Sequence, residues 1–405
     1  MNIFLARQPI LDQSNKVFGY ELLFRDSDIN AYNALDGDQA TIEVIRNSLL
    51  NLGMGKIVGS KKAFINFSKN ILKSDVYTLL SPETVIIEIL EDIEPTEDVI
   101  EACKKLKEIG YIFALDDFVF DAKFLKLIEI ADLIKVDFKK TLGCERKKIV
   151  DKLNSSKLKF VAEKVETIED FNEAISYGYS YFQGYYFSKP TIMSTKKISE
   201  NNKVYMHLIK ELNEKEFSVD NIEIIIKMDI SLSYKLLRLI NSAKFGLRCN
   251  IKSIRHAILY LGEKEVKKWL YFIAIKAISR NKPEIIAEEA LLRAKFAETV
   301  FISAGLNRYA LNAYLTGMLS LIDTLLDRPL AEILDELFID DMVKNALIGK
   351  ELNEYSRLLN LILAYEDADW IKCTKITSEF KISNDDLIKA YMESVEWVNN
   401  VNLEQ

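Results

Sequence analysis

The sequence predicts an α/β fold: a TIM-like (β/α) barrel with an antiparallel first strand pair, followed by a separate all-α helical domain. Three observations support this prediction. Eight short apolar runs follow one another through the first half of the chain. From the third run onward they alternate with stretches of helical periodicity, which is typical of parallel strands joined by right-handed crossovers. After Pro190 the strand pattern stops, and apolar residues recur at three- and four-residue spacing as in a helical bundle.

The eight predicted strands read, in order, IFLARQPI, VFGYELLF, KAFINFS, TVIIEIL, YIFALDD, LIKVDF, KFVAEKV and YFQGYYF. Only a short turn around residues 12–16 joins the first two, whereas a parallel crossover needs about a dozen residues or more. The first two strands are therefore expected to form an antiparallel hairpin.

The later connections are long enough for helices, which are predicted at residues 39–52, 96–110 and 167–178. Thr96 and Thr167 stand where N-caps are expected, and Asp170 has the capping-box spacing from Thr167. Gly110 and Gly178 stand at the expected helix C-caps.

Length and composition bound the remaining possibilities. A chain of 405 residues exceeds the size of a typical single core, so two domains are predicted: a barrel over residues 1–195 and a helical domain over residues 196–405.

The net charge of −7 argues against a nucleic-acid polymer as partner, because neutralising phosphates needs a basic surface. No apolar stretch approaches the ~20 residues that cross a bilayer. Four cysteines without CxxC spacing suit reduced thiols, so we expect a cytoplasmic protein without a membrane partner.

Polar side chains stand at the ends of the predicted strands, and the C-terminal strand ends of a closed barrel converge on one rim. Those that offer hard oxygen ligands are Glu21, Asn66, Glu88, Asp116, Asp117 and Glu163, and two further polar strand-end residues are Lys135 and Gln183. Clustered carboxylates repel one another unless protons or cations neutralise them. Mg²⁺ or Mn²⁺ suits such donors, so the pattern predicts one or two of these ions and a phosphoryl displacement.

Two other interpretations of these residues stay open at this point. Each acidic residue, taken alone, is also explained by pairing with a surface lysine or arginine. A lysine at a barrel strand end, such as Lys135, also permits Schiff-base chemistry of the aldolase type. That chemistry needs a depressed amine pKa, whereas surrounding carboxylates raise the pKa of a lysine.

Residues 1–195 resemble the EAL domain, a cyclic-di-GMP phosphodiesterase module, motif by motif and in order. The segments that carry the resemblance are QPILD from Gln8, ELLFR from Glu21, FINFS, EILE, LDDF, IKVD, AEKVE and QGYYFSKP. The resemblance implies hydrolysis of one phosphodiester bond of cyclic-di-GMP to the linear dinucleotide pGpG, with Mg or Mn as cofactor.

The resemblance also implies a role for each matched residue. Ligands of a first metal ion are expected at Glu21, Asn66, Glu88 and Asp116, and ligands of a second at Asp116, Asp117 and Glu163. Lys135 is expected to position or deprotonate the attacking water, and the further catalytic residues are Glu163, Glu166 and Gln183. Substrate contacts are expected at Gln8 and Arg25.

Two departures from the family pattern bear on activity. The family usually carries a glycine-containing loop after LDDF, which helps to order the second metal ion and the dimer contact, whereas this chain reads VFDAKF from Val119 to Phe124. A loop without glycine adopts positive-φ conformations only at a cost. The family segment FIPxAE is also missing near Ala34. The alternative functions are therefore a weak or inactive cyclic-di-GMP receptor, or a scaffold that binds no nucleotide, and a homodimer is left open.

The helical half resembles the HDOD domain over residues 229–246 and 251–262, which implies a module that binds a protein partner. Related HD-type hydrolases build metal sites from histidine and aspartate, but this chain has only His207 and His256. Ser320 stands where the histidine of a His-Asp pair is expected. The main prediction is thus a metal-dependent cyclic-di-GMP phosphodiesterase coupled to a non-catalytic helical signalling domain.

Overall fold

The computed structural model describes residues 3–26, 53–153, 157–184, 200–214, 216–241 and 251–403. The chain forms two compact units, one of residues 1–189 with residues 360–405, and one of residues 190–359. The predicted helix over residues 39–52 and the position of the missing family segment near Ala34 lie outside the described residues.

Eight strands form a closed barrel in chain order. They are β1 (Ile3–Asp12), β2 (Val17–Asp26), β3 (Lys62–Phe67), β4 (Val85–Ile89), β5 (Ile112–Leu115), β6 (Leu133–Asp137), β7 (Lys159–Glu163) and β8 (Tyr181–Phe182). Strand β1 is antiparallel to both β2 and β8, and the pairs from β2 to β8 are parallel. The predicted barrel with an antiparallel first strand pair is confirmed.

The α-helices are numbered here over the described residues. The barrel half contains α1 (Met54–Val58), α2 (Lys69–Leu72), α3 (Glu97–Ile109), α4 (Leu125–Ile128), α5 (Cys144–Leu153) and α6 (Ile168–Tyr177). The helical half contains α7 (Glu200–Leu212), α8 (Val219–Met228), α9 (Ile230–Ile240), α10 (Ile254–Ile278), α11 (Glu284–Ser303), α12 (Ala310–Leu319), α13 (Ile322–Leu326), α14 (Leu330–Glu336) and α15 (Asp341–Leu347), followed by α16 (Glu354–Glu366), α17 (Trp370–Phe380) and α18 (Asn384–Leu403). Helix α10 is interrupted at Gly262. Among the described residues no helix is both long and apolar enough to cross a membrane.

The predicted helix ends agree with the structure in position. Gly110 and Gly178 both adopt the left-handed conformation, with φ of 106° and 94°, directly after α3 and α6. The Thr167 hydroxyl accepts a hydrogen bond from the Asp170 amide at 3.0 Å, as an N-cap does. Thr96 is the residue before α3, but its side chain makes no capping hydrogen bond to the helix backbone.

The barrel interior is apolar towards the N-terminal ends of the parallel strands. Its buried side chains, one from each strand except β2, are those of Ile10, Phe64, Ile86, Ala114, Leu133, Val161 and Tyr181. Because side chains alternate between the two faces of a strand, the residue two positions further along each parallel strand also points into the barrel, one layer higher. This layer carries the polar residues of the candidate site.

The last part of the chain packs differently from the sequence-based division. Residues 196–405 are expected to form one helical domain, but residues 360–405, here called the C-terminal segment, belong to the same compact unit as the barrel. The first hairpin has only a short turn, so no helix follows β1 in the sequence, and the C-terminal segment packs against this strand instead. The ring of Trp370 stacks on Phe4 with centroids 4.9 Å apart, and the Tyr365 hydroxyl donates a hydrogen bond to the Leu5 carbonyl at 2.9 Å.

We expect Trp370→Ala to lower the free energy of unfolding by about 3–5 kcal/mol, the usual cost of removing a buried aromatic side chain. Trp370 is 5% exposed, whereas its neighbour Ile371 is 65% exposed. Ile371→Ala is therefore the matched control and should change stability by less than about 0.5 kcal/mol. Urea unfolding followed by circular dichroism measures both, and equal effects would show that the C-terminal segment does not cover β1.

The loop from Val119 to Phe124, which differs from the family pattern, has its own local structure. Residues 122–124 form a 3₁₀ turn that begins with a hydrogen bond from the Lys123 amide to the Asp121 carboxylate at 3.0 Å. None of residues 119–124, all of which are described, has a positive φ. The only left-handed residue nearby is Asp117, with φ of 41°. The loop is thus built without the positive-φ positions that a glycine-containing version would supply.

Candidate functional site

Strand register brings the predicted polar residues into one layer. Each of Asn66, Glu88, Asp116, Lys135, Glu163 and Gln183 follows an interior apolar residue of its own strand by two positions. On the antiparallel hairpin, Glu21 is paired directly with Gln8 in the strand register. Asp116 and Gln183 lie just beyond β5 and β8, and their amides continue the ladders by donating to the Ile89 and Ala162 carbonyls.

The ammonium group of Lys135 lies at the centre of this layer. Its Nζ is 2.6 Å from Glu88 Oε1, 2.8 Å from Asp116 Oδ1, 2.8 Å from Glu163 Oε1 and 3.2 Å from Glu21 Oε2. Lys135 and Glu88 are both fully buried. Lys135 and these four carboxyl groups are called the Lys135 cluster below. Four acids facing one cation inside the barrel exclude, for these residues, the interpretation as separate surface ion pairs.

Burial and charge shift the pKa values of the Lys135 cluster. Burial lowers the pKa of Lys135, but the surrounding carboxylates outweigh this effect and hold that pKa well above its ordinary value. Burial, followed by the charge of Glu21, raises the pKa of Glu88 well above its usual range despite the opposing effect of Lys135. Burial likewise raises the pKa of Glu163 to about 8. The Lys135 amine is therefore protonated at neutral pH, which disfavours Schiff-base chemistry because that reaction needs a free amine.

Several buried oxygen atoms of this layer have no hydrogen-bond partner. They are Asn66 Oδ1, Gln183 Oε1 and both carboxylate oxygens of Glu88, of which Oε1 lies 2.6 Å from the Lys135 ammonium as an ion pair. Buried polar atoms are normally satisfied, so these oxygens indicate a ligand that supplies positive charge or donors. As a donor set, amide and carboxylate oxygens fit a hard divalent ion.

The four carboxyl groups of the Lys135 cluster point at the Lys135 ammonium and not at a common metal position. Over the part of the chain that the structure describes, no three Asp, Glu, His or Cys side chains are already grouped around one point as metal ligands. The Lys135 ammonium lies among the carboxylates and neutralises part of their charge. The residues therefore fit a divalent ion in chemical type, and the side chains have to shift around Lys135 to hold one.

Two of the predicted acidic site residues pair with lysines other than Lys135. Asp117 forms an ion pair with Lys140 at 2.6 Å, and Glu166 forms one with Lys139 at 2.5 Å. The sequence-based prediction placed both acids with the others and did not single out these lysines. The signal that could have found them is the run KVDFKK, which places two cations directly after β6.

The predicted substrate residues differ in what the structure shows. Gln8 lies beside Gln183, whose Nε2 donates to Gln8 Oε1 at 3.1 Å and to Glu21 Oε2 at 2.9 Å. Asn66 Nδ2 approaches Glu21 Oε1 at 3.4 Å. Arg25 belongs to β2, but its side chain lies outside the described residues, so its predicted contact with substrate stays a prediction.

The raised carboxyl pKa values predict how stability depends on pH. A group that binds its proton more tightly in the folded state stabilises the fold at low pH, and this contribution is lost as pH rises through the folded pKa. For Glu163 the window runs from the unfolded glutamate pKa of about 4.3 to about 8 in the fold. We expect the free energy of unfolding of metal-free protein to fall across this window. Urea unfolding in a chelator measures this free energy at each pH. In Glu163→Gln, whose side chain carries no charge at any pH, the free energy of unfolding should fall less steeply as pH rises. An unchanged slope would contradict the role of Glu163.

The helical unit offers no comparable cluster of histidines. His207 and His256 are both exposed, on α7 and α10. The Ser320 hydroxyl accepts a hydrogen bond from Arg293 Nη1 at 3.0 Å and donates to the Gly317 carbonyl at 2.7 Å. The position at which a metal-binding histidine was expected is thus part of a hydrogen-bonded contact between α11 and the end of α12.

Comparisons with known proteins agree with the two halves of the chain. A family model for the EAL domain matches residues 50–190, and one for the HDOD domain matches residues 198–332. The uncharacterized protein YuxH of Bacillus subtilis (strain 168) is 39% identical over 410 residues, which cover 99% of each chain. A Vibrio cholerae serotype O1 protein named cyclic di-GMP phosphodiesterase CdgJ is 32% identical over 403 residues, 98% of this chain and 93% of the relative. A solved EAL domain protein from Listeria monocytogenes EGD-e is 25% identical, with a TM-score of 0.37, over 46% of this chain and 88% of that one.

Proposed function

Because the chain belongs to the family of proteins that join an EAL domain to an HDOD domain, we propose that it is a metal-dependent phosphodiesterase that hydrolyses cyclic-di-GMP to the linear dinucleotide pGpG. The single observation that carries the proposal is the Lys135 cluster, with four carboxyl groups within 3.2 Å of one buried ammonium. A relative that matches nearly the whole chain is named a cyclic di-GMP phosphodiesterase.

The metal ligands in this proposal come from four strands. Glu21, Asn66, Glu88 and Asp116 would hold one Mg²⁺ or Mn²⁺ ion. Asp116, Asp117 and Glu163 would help to hold a second ion, and the ion pair of Asp117 with Lys140 has to break for this to happen. When bound, the ions supply positive charge that stabilises the developing charge on phosphate oxygens and make water more acidic.

The chain's own groups have distinct roles in the proposed reaction. Lys135 would position or deprotonate the attacking water, since ions bound to the surrounding carboxylates offset the charge that raises its pKa in the metal-free protein. Glu163, 2.8 Å from Lys135 Nζ, would hold this ammonium group beside that water. The new P–O bond forms as the bond from phosphorus to one ribose 3′ oxygen breaks, and this oxygen leaves with a proton from solvent. Gln183 and Glu166 support these groups, and Arg25 contacts the nucleotide phosphate.

Turnover and binding assays separate this function from its alternatives. Purified protein is mixed with cyclic-di-GMP and Mg²⁺ or Mn²⁺, and products are resolved by chromatography, while equilibrium binding is measured with Ca²⁺. We expect pGpG with Mg²⁺ or Mn²⁺. Nucleotide binding without any product would replace the enzyme by a receptor, and neither binding nor product would leave a scaffold.

The role of the helical half is part of the same proposal. We assign it a protein partner, because its described helices expose large apolar side chains at Ile224, Met228, Tyr234 and Leu259. It carries no catalysis in this proposal, since its two histidines are exposed and apart in sequence.

A further inference from the structure

The C-terminal segment lies outside both matched domains, yet it contacts the strand that carries Gln8. The matched segments end at residue 332, whereas Tyr365, Trp370 and Tyr391 all contact β1. The Tyr391 hydroxyl accepts a hydrogen bond from the Arg7 amide, the residue next to Gln8, at 3.4 Å. The segment is therefore placed to influence the layer that Gln8 belongs to.

A chain of hydrogen bonds joins the Lys135 cluster to this segment. Gln183 Nε2 donates to Glu21 Oε2 at 2.9 Å and to Gln8 Oε1 at 3.1 Å. Gln8 Nε2 in turn donates to the main-chain carbonyl of Glu366, the last residue of α16, at 3.0 Å. Both ends of the chain, a carboxylate and a carbonyl, can only accept. The orientation of both side-chain amides is therefore fixed from the two ends.

The same orientation determines where Gln183 Oε1 lies. Because the Nε2 of Gln183 is committed to Glu21 and Gln8, its Oε1 is the remaining polar atom, and it is buried without a partner. Glu21 binds one hydrogen of this Nε2 and Gln8 binds the other, so loss of the Gln8 contact removes one of the two hydrogen bonds that fix where Oε1 lies. The position of an acceptor in the site thus depends on a carbonyl of the C-terminal segment.

We infer that the C-terminal segment is a built-in part of the active site, which orients the amide of Gln183 through Gln8. Gln8 is then a positioning residue, because each polar atom of its side chain binds a protein group, the Glu366 carbonyl on one side and Gln183 on the other. This inference rests on the proposed phosphodiesterase function for its kinetic readout. It differs from the substrate contact that the family resemblance implies for Gln8, and the experiments below decide between the two roles.

A double-mutant cycle between Gln8 and Gln183 tests the inference. Gln8→Met keeps the side-chain length and removes both hydrogen bonds of Gln8. We expect kcat to fall about tenfold, with KM and the dissociation constant for cyclic-di-GMP in Ca²⁺ changed less than about twofold. In a Gln183→Met background the same change should have no further effect on kcat, because residues that act through one another are not additive.

The outcome that overturns the inference is equally specific. If Gln8 contacts the nucleotide directly, Gln8→Met raises KM and the dissociation constant about tenfold, and its effect adds to that of Gln183→Met. Tyr365→Phe extends the test to the C-terminal segment, because it removes the hydrogen bond to the Leu5 carbonyl and keeps the ring. We expect Tyr365→Phe to lower kcat about threefold in the wild-type background and not at all in the Gln8→Met background. Equal effects in both backgrounds would show that the C-terminal segment does not act through Gln8.

A neutron crystal structure of Gln8→Met, which shows the amide hydrogens, separates failure of this inference from failure of the proposed function. Absence of turnover by the wild type with Mg²⁺ and Mn²⁺ removes the phosphodiesterase, but the orientation of Gln183 can still be observed. A rotated Gln183 amide that has left Glu21 supports the inference. An unchanged contact of Gln183 with Glu21 overturns it, whatever the protein catalyses.

Discussion

Replacement of Lys135 by methionine is expected to lower the free energy of unfolding of the metal-free protein by about 3–5 kcal/mol, the cost of removing one partner from a buried ion pair. Methionine has nearly the volume of lysine, so the change removes charge with little loss of packing. The four carboxyl groups of the Lys135 cluster would then repel one another inside the barrel. The loss should shrink as pH falls, since protonated carboxyl groups do not repel.

Urea unfolding in a chelator measures this effect, with Lys126→Met as the matched control. Lys126 on α4 is 65% exposed and pairs with the 95% exposed Glu97, so its replacement should cost less than about 0.5 kcal/mol. Mn²⁺ should restore part of the stability of Lys135→Met, because the ion replaces the missing positive charge. Equal stability of the two variants would mean that Lys135 does not neutralise the carboxyl groups.

The Glu88→Gln variant is expected to lose turnover and gain stability at the same time. Turnover should fall at least about 10- to 100-fold, the loss seen when even an outer partner of a metal site is removed. The thermal midpoint of the metal-free protein should rise, because burial and the charges of Glu21 and Asp116 raise the pKa of Glu88 and make its ionised form costly. Opposite signs distinguish a functional residue from a structural one.

Steady-state kinetics with Mn²⁺ and thermal unfolding in a chelator measure the two effects of Glu88→Gln. Glu97→Gln is the control, since Glu97 is 95% exposed on α3 and should alter neither quantity. If turnover survives in Glu88→Gln, Glu88 is not a metal ligand. If the metal-free variant is less stable than the metal-free wild type, the charge of Glu88 does not destabilise the fold.

The barrel and the central acids could be predicted because they depend on local periodicity. A period of two along each strand places Glu88 above Ile86 and Glu163 above Val161, and closure of the barrel brings strand ends together. Charge arithmetic then predicts that a lysine among carboxylates has a raised pKa, as Lys135 does. These inferences need only the strand pattern and the residue types.

The packing of the C-terminal segment could not be predicted in the same way. The apolar face of α17 shows helical periodicity, but this pattern is the same whether the helix packs on other helices or on β1. Nothing in the residue type of Glu366 indicates that its main-chain carbonyl binds Gln8. The pairing of Asp117 with Lys140 likewise depends on where the chain after β6 turns, which the strand pattern does not determine.

Binding of Mn²⁺ in the presence of cyclic-di-GMP tests the central claim most directly. The claim is that acids from separate strands assemble around Lys135 to hold a divalent ion beside the nucleotide. Electron paramagnetic resonance counts the free ion, and we predict at least one bound Mn²⁺ for each wild-type chain and its loss in Glu88→Gln. Mn²⁺ that stays free with the wild type, or binds equally to Glu88→Gln, would contradict the account.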